Sequence, residues 1–158
     1  APAPLPAPAP EPQPSPQPAP DTQPQTPESA VRPEMEAEMV RLVNEERAKA
    51  GLAPLVVDPE LTRLARLKSA DMIDKNYFSH YSPTYGSPFD MMKAAGISYR
   101  IAGENLAGAR SVISAHEGLM ASSGHRANIL REAFTHIGVG VVRGGPYGYM
   151  FTQMFIGR

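Results

Sequence analysis

The chain has 158 residues, a formal net charge of -1 and no cysteine. A nearly neutral chain without a dense Lys/Arg stripe has no long-range attraction to nucleic acid or anionic lipid, and the lack of thiols excludes a disulfide framework and a thiolate metal site. No run approaches the roughly 18 apolar residues of a membrane span, so no transmembrane segment is expected.

Thirteen of the eighteen prolines lie in residues 1–33. Proline removes backbone donors and fixes φ, and this stretch holds almost no large apolar side chains, so it cannot offset its own ordering entropy. Residues 1–33 therefore read as a disordered proline-rich linker or tail, a polyproline II spacer reaching roughly 3.1 Å per residue. The opening Ala1-Pro2 reads as a processed chain. Export, signal peptide removal and a spacer lifting a domain off a cell envelope are the expectation.

Residues 34–158 read as one folded domain, large enough to bury a core without staples. Met35, Met39, Leu42 and Val43 recur on one face of a first helix, with Glu36, Arg41, Glu45 and Lys49 on the other and Gly51 as its stop. Asp58-Pro59 starts a second helix running to about Lys75, its core face carrying Leu61, Leu64, Ala65, Met72 and Ile73. Ser87-Pro88-Phe89-Asp90 repeats the start signal for a short helix closed by Gly96.

Tyr99 to Ala102 predicts a brief strand leading into Gly103-Glu104, and Ser111 caps a helix to about Ala121. A further helical piece covers about Arg126 to Leu130. His136 to Val142 and Tyr147 to Phe155 predict a hairpin around Arg143-Gly144-Gly145-Pro146. Alternation sends Tyr147, Tyr149, Phe151, Gln153 and Phe155 to one face and Met150, Thr152, Met154 and Ile156 to the other. Both faces are apolar, as in a sheet covered on both sides. The fold class is α/β, a three-layer α/β/α sandwich with a small, mostly antiparallel sheet.

Histidines and glutamates are the candidates for acid-base or metal chemistry in a chain without cysteine. His80 lies in an irregular aromatic segment, Glu104 follows a glycine at a strand end, and His125 sits between Gly124 and a helix start. His136 reads as a half-exposed structural residue and His116 as part of a solvated helix face. Arg126 and Asn128 read as braces of the neighbouring loop, and the aromatic row and the methionines as core.

Phe78-Ser79-His80, Gly103-Glu104-Asn105-Leu106-Ala107, Ser123-Gly124-His125-Arg126-Ala127-Asn128-Ile129-Leu130 and Phe134-Thr135-His136-Ile137-Gly138-Val139-Gly140 occur in that order. With Leu42-Val43-Asn44-Glu45-Glu46-Arg47 and Tyr149 to Phe155, this pattern resembles the bacterial SCP-like branch of the CAP superfamily, which takes in cysteine-rich secretory, antigen five and pathogenesis-related proteins. The resemblance implies a secreted α/β/α sandwich whose cleft holds two His and two Glu. Carried over, His80, Glu104 and His125 match three of the four. The fourth member, the second Glu, follows a Trp in many relatives. Here Leu119 stands in the Trp place and Ser122 near the Glu place, with Glu117 about one and a half turns upstream.

Two classes of function stay open. The favoured one is a binding or interaction module, secreted or held at the envelope, whose cleft takes a divalent metal such as zinc on His80 and His125, or a peptide, lipid or cell-wall component. The alternative is a metal-dependent, protease-like hydrolase in which Glu104 moves protons as the catalytic base.

Overall fold

The computed structural model describes residues 24–158; residues 1–23, most of the expected linker or tail, lie outside the described residues. The elements run α1 (Pro33–Lys49), β1 (Val56–Val57), α2 (Pro59–Asp74), α3 (Pro88–Ala94), β2 (Ile101–Ala109), α4 (Val112–Ala121), α5 (Ser123–Ile129), β3 (His136–Arg143) and β4 (Tyr149–Gly157).

The strands form one sheet in the order β1-β3-β4-β2. β1 runs parallel to β3, and the β3–β4 and β2–β4 pairs are antiparallel. One face is covered by α1, α4 and α5, whose Met39, Val43, Ala115, Leu119 and Ile129 meet Ile137, Val139, Val141, Phe151 and Phe155. The other is covered by α2 and α3, where Leu61, Leu64, Ala65, Met91 and Met92 meet Met154 and Ile156, and Met72 meets Leu106 and Met150. This is the expected three-layer sandwich. Six of the eight methionines lie in these buried clusters, as core filler.

Local signals set the helix starts. The Asp58 carboxylate accepts from the amides of Glu60 and Leu61, and Ser87 and Asp90 form a reciprocal capping box. Ser111 accepts from the Ser114 amide. Gly51 and Gly96 end their helices at positive φ of 76° and 72°.

Several expectations give way to tertiary packing. Glu36 is buried on α1 rather than exposed, and Arg47 on the same helix is buried as well. Glu36 accepts the Val141 amide at 3.0 Å and grips the Arg66 guanidinium, so a carboxylate closes part of the open edge of β3. That edge also draws in Val31, which is buried and bridges to Val142. The Arg32 amide reaches the Val141 carbonyl and the Arg143 amide reaches the Ala30 carbonyl, each at 2.9 Å. Packed chain thus begins a few residues before the expected boundary at 34. β2 is a nine-residue strand rather than a brief one, because its whole length pairs with β4. Glu104 therefore lies in mid-strand, and His125 lies inside α5 rather than ahead of a helix.

Candidate functional site

Strand alternation decides what Glu104 meets. Across from Met154, it shares with Ala102 and Leu106 the β2 face that looks towards α2, whereas Asn105 looks towards α5. The Glu104 side chain is 1% exposed, and its Oε1 lies 2.8 Å from Nδ1 of His80, whose ring is 58% exposed. Oε2 is buried without a hydrogen-bond partner among the described residues. Burial pushes the Glu104 carboxyl up from its ordinary range, partly countered by the His80 bond and the Lys68 charge.

The pair floors a cleft of about 370 Å³ lined by His80, Tyr81, Ser87, Pro88, Phe89 and Glu104. Tyr81 and Phe89 on its rim are 66% and 47% exposed.

His80 sits on an irregular segment that α2 holds from beneath. The Asp71 carboxylate accepts hydroxyl bonds from Tyr77 at 2.5 Å and from Ser82 and Thr84 at 2.6 Å each. Burial opposes its charge, but the three hydroxyls and Lys68 outweigh burial and keep Asp71 below the usual carboxylate range. Lys68, fully buried, donates to the His80 carbonyl at 3.0 Å. Neither Lys68 nor Asp71 was among the sequence candidates, although a signal existed. Both fall on the apolar stripe Leu61, Leu64/Ala65, Lys68, Met72, where an ionisable side chain is buried and needs partners.

His125 belongs to the other layer. The carbonyl of His125 accepts Asn105 Nδ2 at 3.0 Å, Asn105 also donates to Gln153, and Asn128 donates to Oδ1 of Asn105 and to the Glu104 carbonyl. The Gly-His-Arg-Ala-Asn run thus docks α5 onto β2 through amides. Asn128 braces as expected, and Arg126 ties to the Met120 carbonyl at 3.1 Å. Glu117 is exposed on α4, and Ser122 precedes α5 without a side-chain cap bond. Neither lines the cleft over His80 and Glu104. Among the described residues no three His, Cys, Asp or Glu side chains form a group able to hold a metal ion. Of the zinc ligands expected, His80 pairs with Glu104, and His125 is placed by its backbone carbonyl on Asn105.

His136 is half-buried with Nδ1 2.7 Å from the Thr135 hydroxyl, a structural role. His116, expected on a solvated face, is buried at 7% exposure. Its ring nitrogens have no hydrogen-bond partner among the described residues, the closest carboxylate being Glu46 at 3.9 Å. Desolvation holds the imidazole below its ordinary value against the pull of Glu46, Glu117 and Glu45.

The folded state thus binds fewer protons at His116 than the unfolded chain, and stability is lost as pH falls from the unfolded value near 6.5 towards the lower folded one. His116→Leu is expected to flatten the fall in melting temperature between about pH 7 and pH 5. Equal slopes in the two proteins would refute this.

Three comparisons bear on this site. The family model described as CAP, the cysteine-rich secretory protein family, matches residues 40–155. The chain is 56% identical over 124 residues to YkwD of Bacillus subtilis, covering 78% of this chain and 47% of that protein. Over 128 residues it is 39% identical to the membrane protein YlbC of the same organism, covering 78% of this chain and 34% of YlbC. The chain therefore spans about half, or less, of these relatives. Among solved structures, an extracellular protein containing a SCP domain from Bacillus anthracis superposes with a TM-score of 0.75 at 34% identity, over 87% of this chain and 45% of that one. An outer surface protein of Borrelia burgdorferi shares the fold at a TM-score of 0.73 and 18% identity, over 79% of this chain and 93% of that one.

Proposed function

Because the chain belongs to the CAP, or cysteine-rich secretory protein, family, we propose that it is an extracellular binding module whose ligand-contacting surface is the cleft over His80 and Glu104. The observation that carries this reading is the buried Glu104 carboxylate. One of its oxygens is bound to a solvent-facing histidine and the other has no partner among the described residues, at the floor of a cleft with exposed aromatics on its rim. Such a floor orients a ligand by hydrogen bonds while Tyr81 and Phe89 supply apolar contact. An extracellular setting is supported by the Bacillus anthracis relative, which is described as an extracellular protein. No helix among the described residues is long and apolar enough to cross a membrane.

A cell-wall fragment, a peptide, a lipid micelle and zinc chloride, each titrated into the protein under amide NMR, separate the ligand classes. The reading predicts that at least one of the first three perturbs residues 80–89 and Glu104, and that His80→Ala weakens this at least tenfold. Perturbations that avoid the cleft, or that survive His80→Ala unchanged, sink it.

A hydrolase reading draws on the same pair, since an elevated carboxyl beside an imidazole suits proton transfer. It requires that cleavage of a wall or peptide library vanish in Glu104→Gln while the fold persists.

A further inference from the structure

Lys68 lies on α2 under the cleft floor and is fully buried. Its Nζ donates to the His80 carbonyl at 3.0 Å and to the Tyr77 hydroxyl at 3.3 Å, and it sits 4.8 Å from the centre of the Tyr77 ring. No carboxylate among the described residues makes a contact ion pair with it; its nearest electrostatic partners, Glu104 and Asp71, act across space. An apolar side chain on this stripe would fill the same volume without desolvating a charge. What the cation adds is its contacts.

Those contacts converge on one segment. Asp71, one turn along α2, takes the hydroxyls of Tyr77, Ser82 and Thr84, while Lys68 takes the carbonyl of His80 between them. Two charged groups of a rigid helix thus hold an irregular segment on both sides of the histidine that reaches Glu104. A loop without such ties would spread His80 over many rotamers and backbone states, and its imidazole would meet Glu104 only part of the time.

We propose that Lys68 is the positioning residue of the cleft: through the His80 carbonyl it fixes the backbone so that the His80 imidazole donates from Nδ1 to Glu104 and turns Nε2 to the ligand. The assignment rests on the cleft being the ligand-contacting surface, and it adds what keeps that surface in register. Lys68 touches no ligand itself. Its ammonium belongs to the architecture beneath the site, as the outer partners of a site orient the groups that make contact.

The test needs no ligand. Long-range proton–nitrogen correlation reports which ring nitrogen of neutral His80 carries the proton. Nδ1–H is expected in the unaltered domain, and Lys68→Met is expected to shift His80 towards the Nε2–H form. Val43→Ala opens a cavity in the core on the opposite face of the sheet, so it lowers stability without touching this segment and is expected to leave the tautomer unchanged. A His80 tautomer that is the same in Lys68→Met as in the parent, or that changes equally in Val43→Ala, overturns the proposal.

If Lys68→Met does not fold, the parent protein decides. The Lys68 ammonium is expected to exchange slowly with solvent at neutral pH and to correlate with the His80 carbonyl, and fast exchange overturns the proposal. Failure here leaves the binding reading intact, whereas failure of the ligand titration leaves the tautomer result standing, so the two are separable.

Discussion

Arg47→Met is expected to lower folding stability by about 3–5 kcal/mol, a large share of the ~5–15 kcal/mol of an ordinary domain. Arg47 is 1% exposed near the end of α1, and its guanidinium donates to the carbonyls of Ala53 at 2.8 Å, Ile129 and Arg131 at 2.9 Å each, and Phe134 at 3.4 Å. Those carbonyls belong to the turn after α1 and to the stretch joining α5 to β3, where the Arg131 carbonyl also accepts the Phe134 amide at 3.2 Å. Methionine fills much of the volume but donates to none of these carbonyls, and each acceptor left without another donor costs about 1–3 kcal/mol before relaxation.

Arg47→Lys keeps the charge but not the fork, so it is expected to recover only part of the loss. Urea unfolding checks this through a lower midpoint at an unchanged slope. A loss below about 1 kcal/mol in Arg47→Met would show that the four contacts are replaceable by water.

Gly140→Ala is expected to cost about 3 kcal/mol or more, at the upper end of overpacking effects. A Cβ at Gly140 would overlap the backbone of Ala65 and Arg66, and one at Gly138 the backbone of Leu61 and Thr62. Neither obstacle is a side chain that can swing away. α2 would have to lift from the sheet, losing the contacts of Leu61, Leu64 and Ala65 with Met154 and Ile156 along with Lys68's hold on the cleft. Gly118→Ala is the control, since a Cβ there meets nothing within 4 Å. In the middle of α4 it is expected to stabilise by roughly 0.5–1 kcal/mol. Equal effects at 140 and 118 in thermal or urea unfolding would refute the close-approach account.

These two predictions mark where local pattern stops being informative. Asp58, Ser87 and Ser111 announce their helices because a cap needs only the two or three amides that follow it. The glycines of Ile137-Gly138-Val139-Gly140 stand out in the sequence, yet what they admit, the backbone of α2 about 75 residues earlier, is visible only in the packed layers. Glu36 looks like an exposed charge on a helix because its partners, Arg66 and the Val141 amide, lie 30 and 105 residues away, and most of Arg47's acceptors are as distant, Ile129 lying 82 residues on. Asp71 and Lys68 carried a readable mark, charge on an apolar stripe, that periodicity without partners left unexplained.

The sandwich, its hairpin and the nomination of His80 and Glu104 were legible in the sequence itself, through caps and alternation, which act over a few residues or along one strand, and through the order of motifs along the chain that carries the family resemblance. Which nominated residues meet was decided by tertiary structure alone. Side-chain alternation turns Glu104 towards α2 and Asn105 towards α5, so a single step along β2 puts the His80 pair on one face of the sheet and the docking of His125's helix on the other.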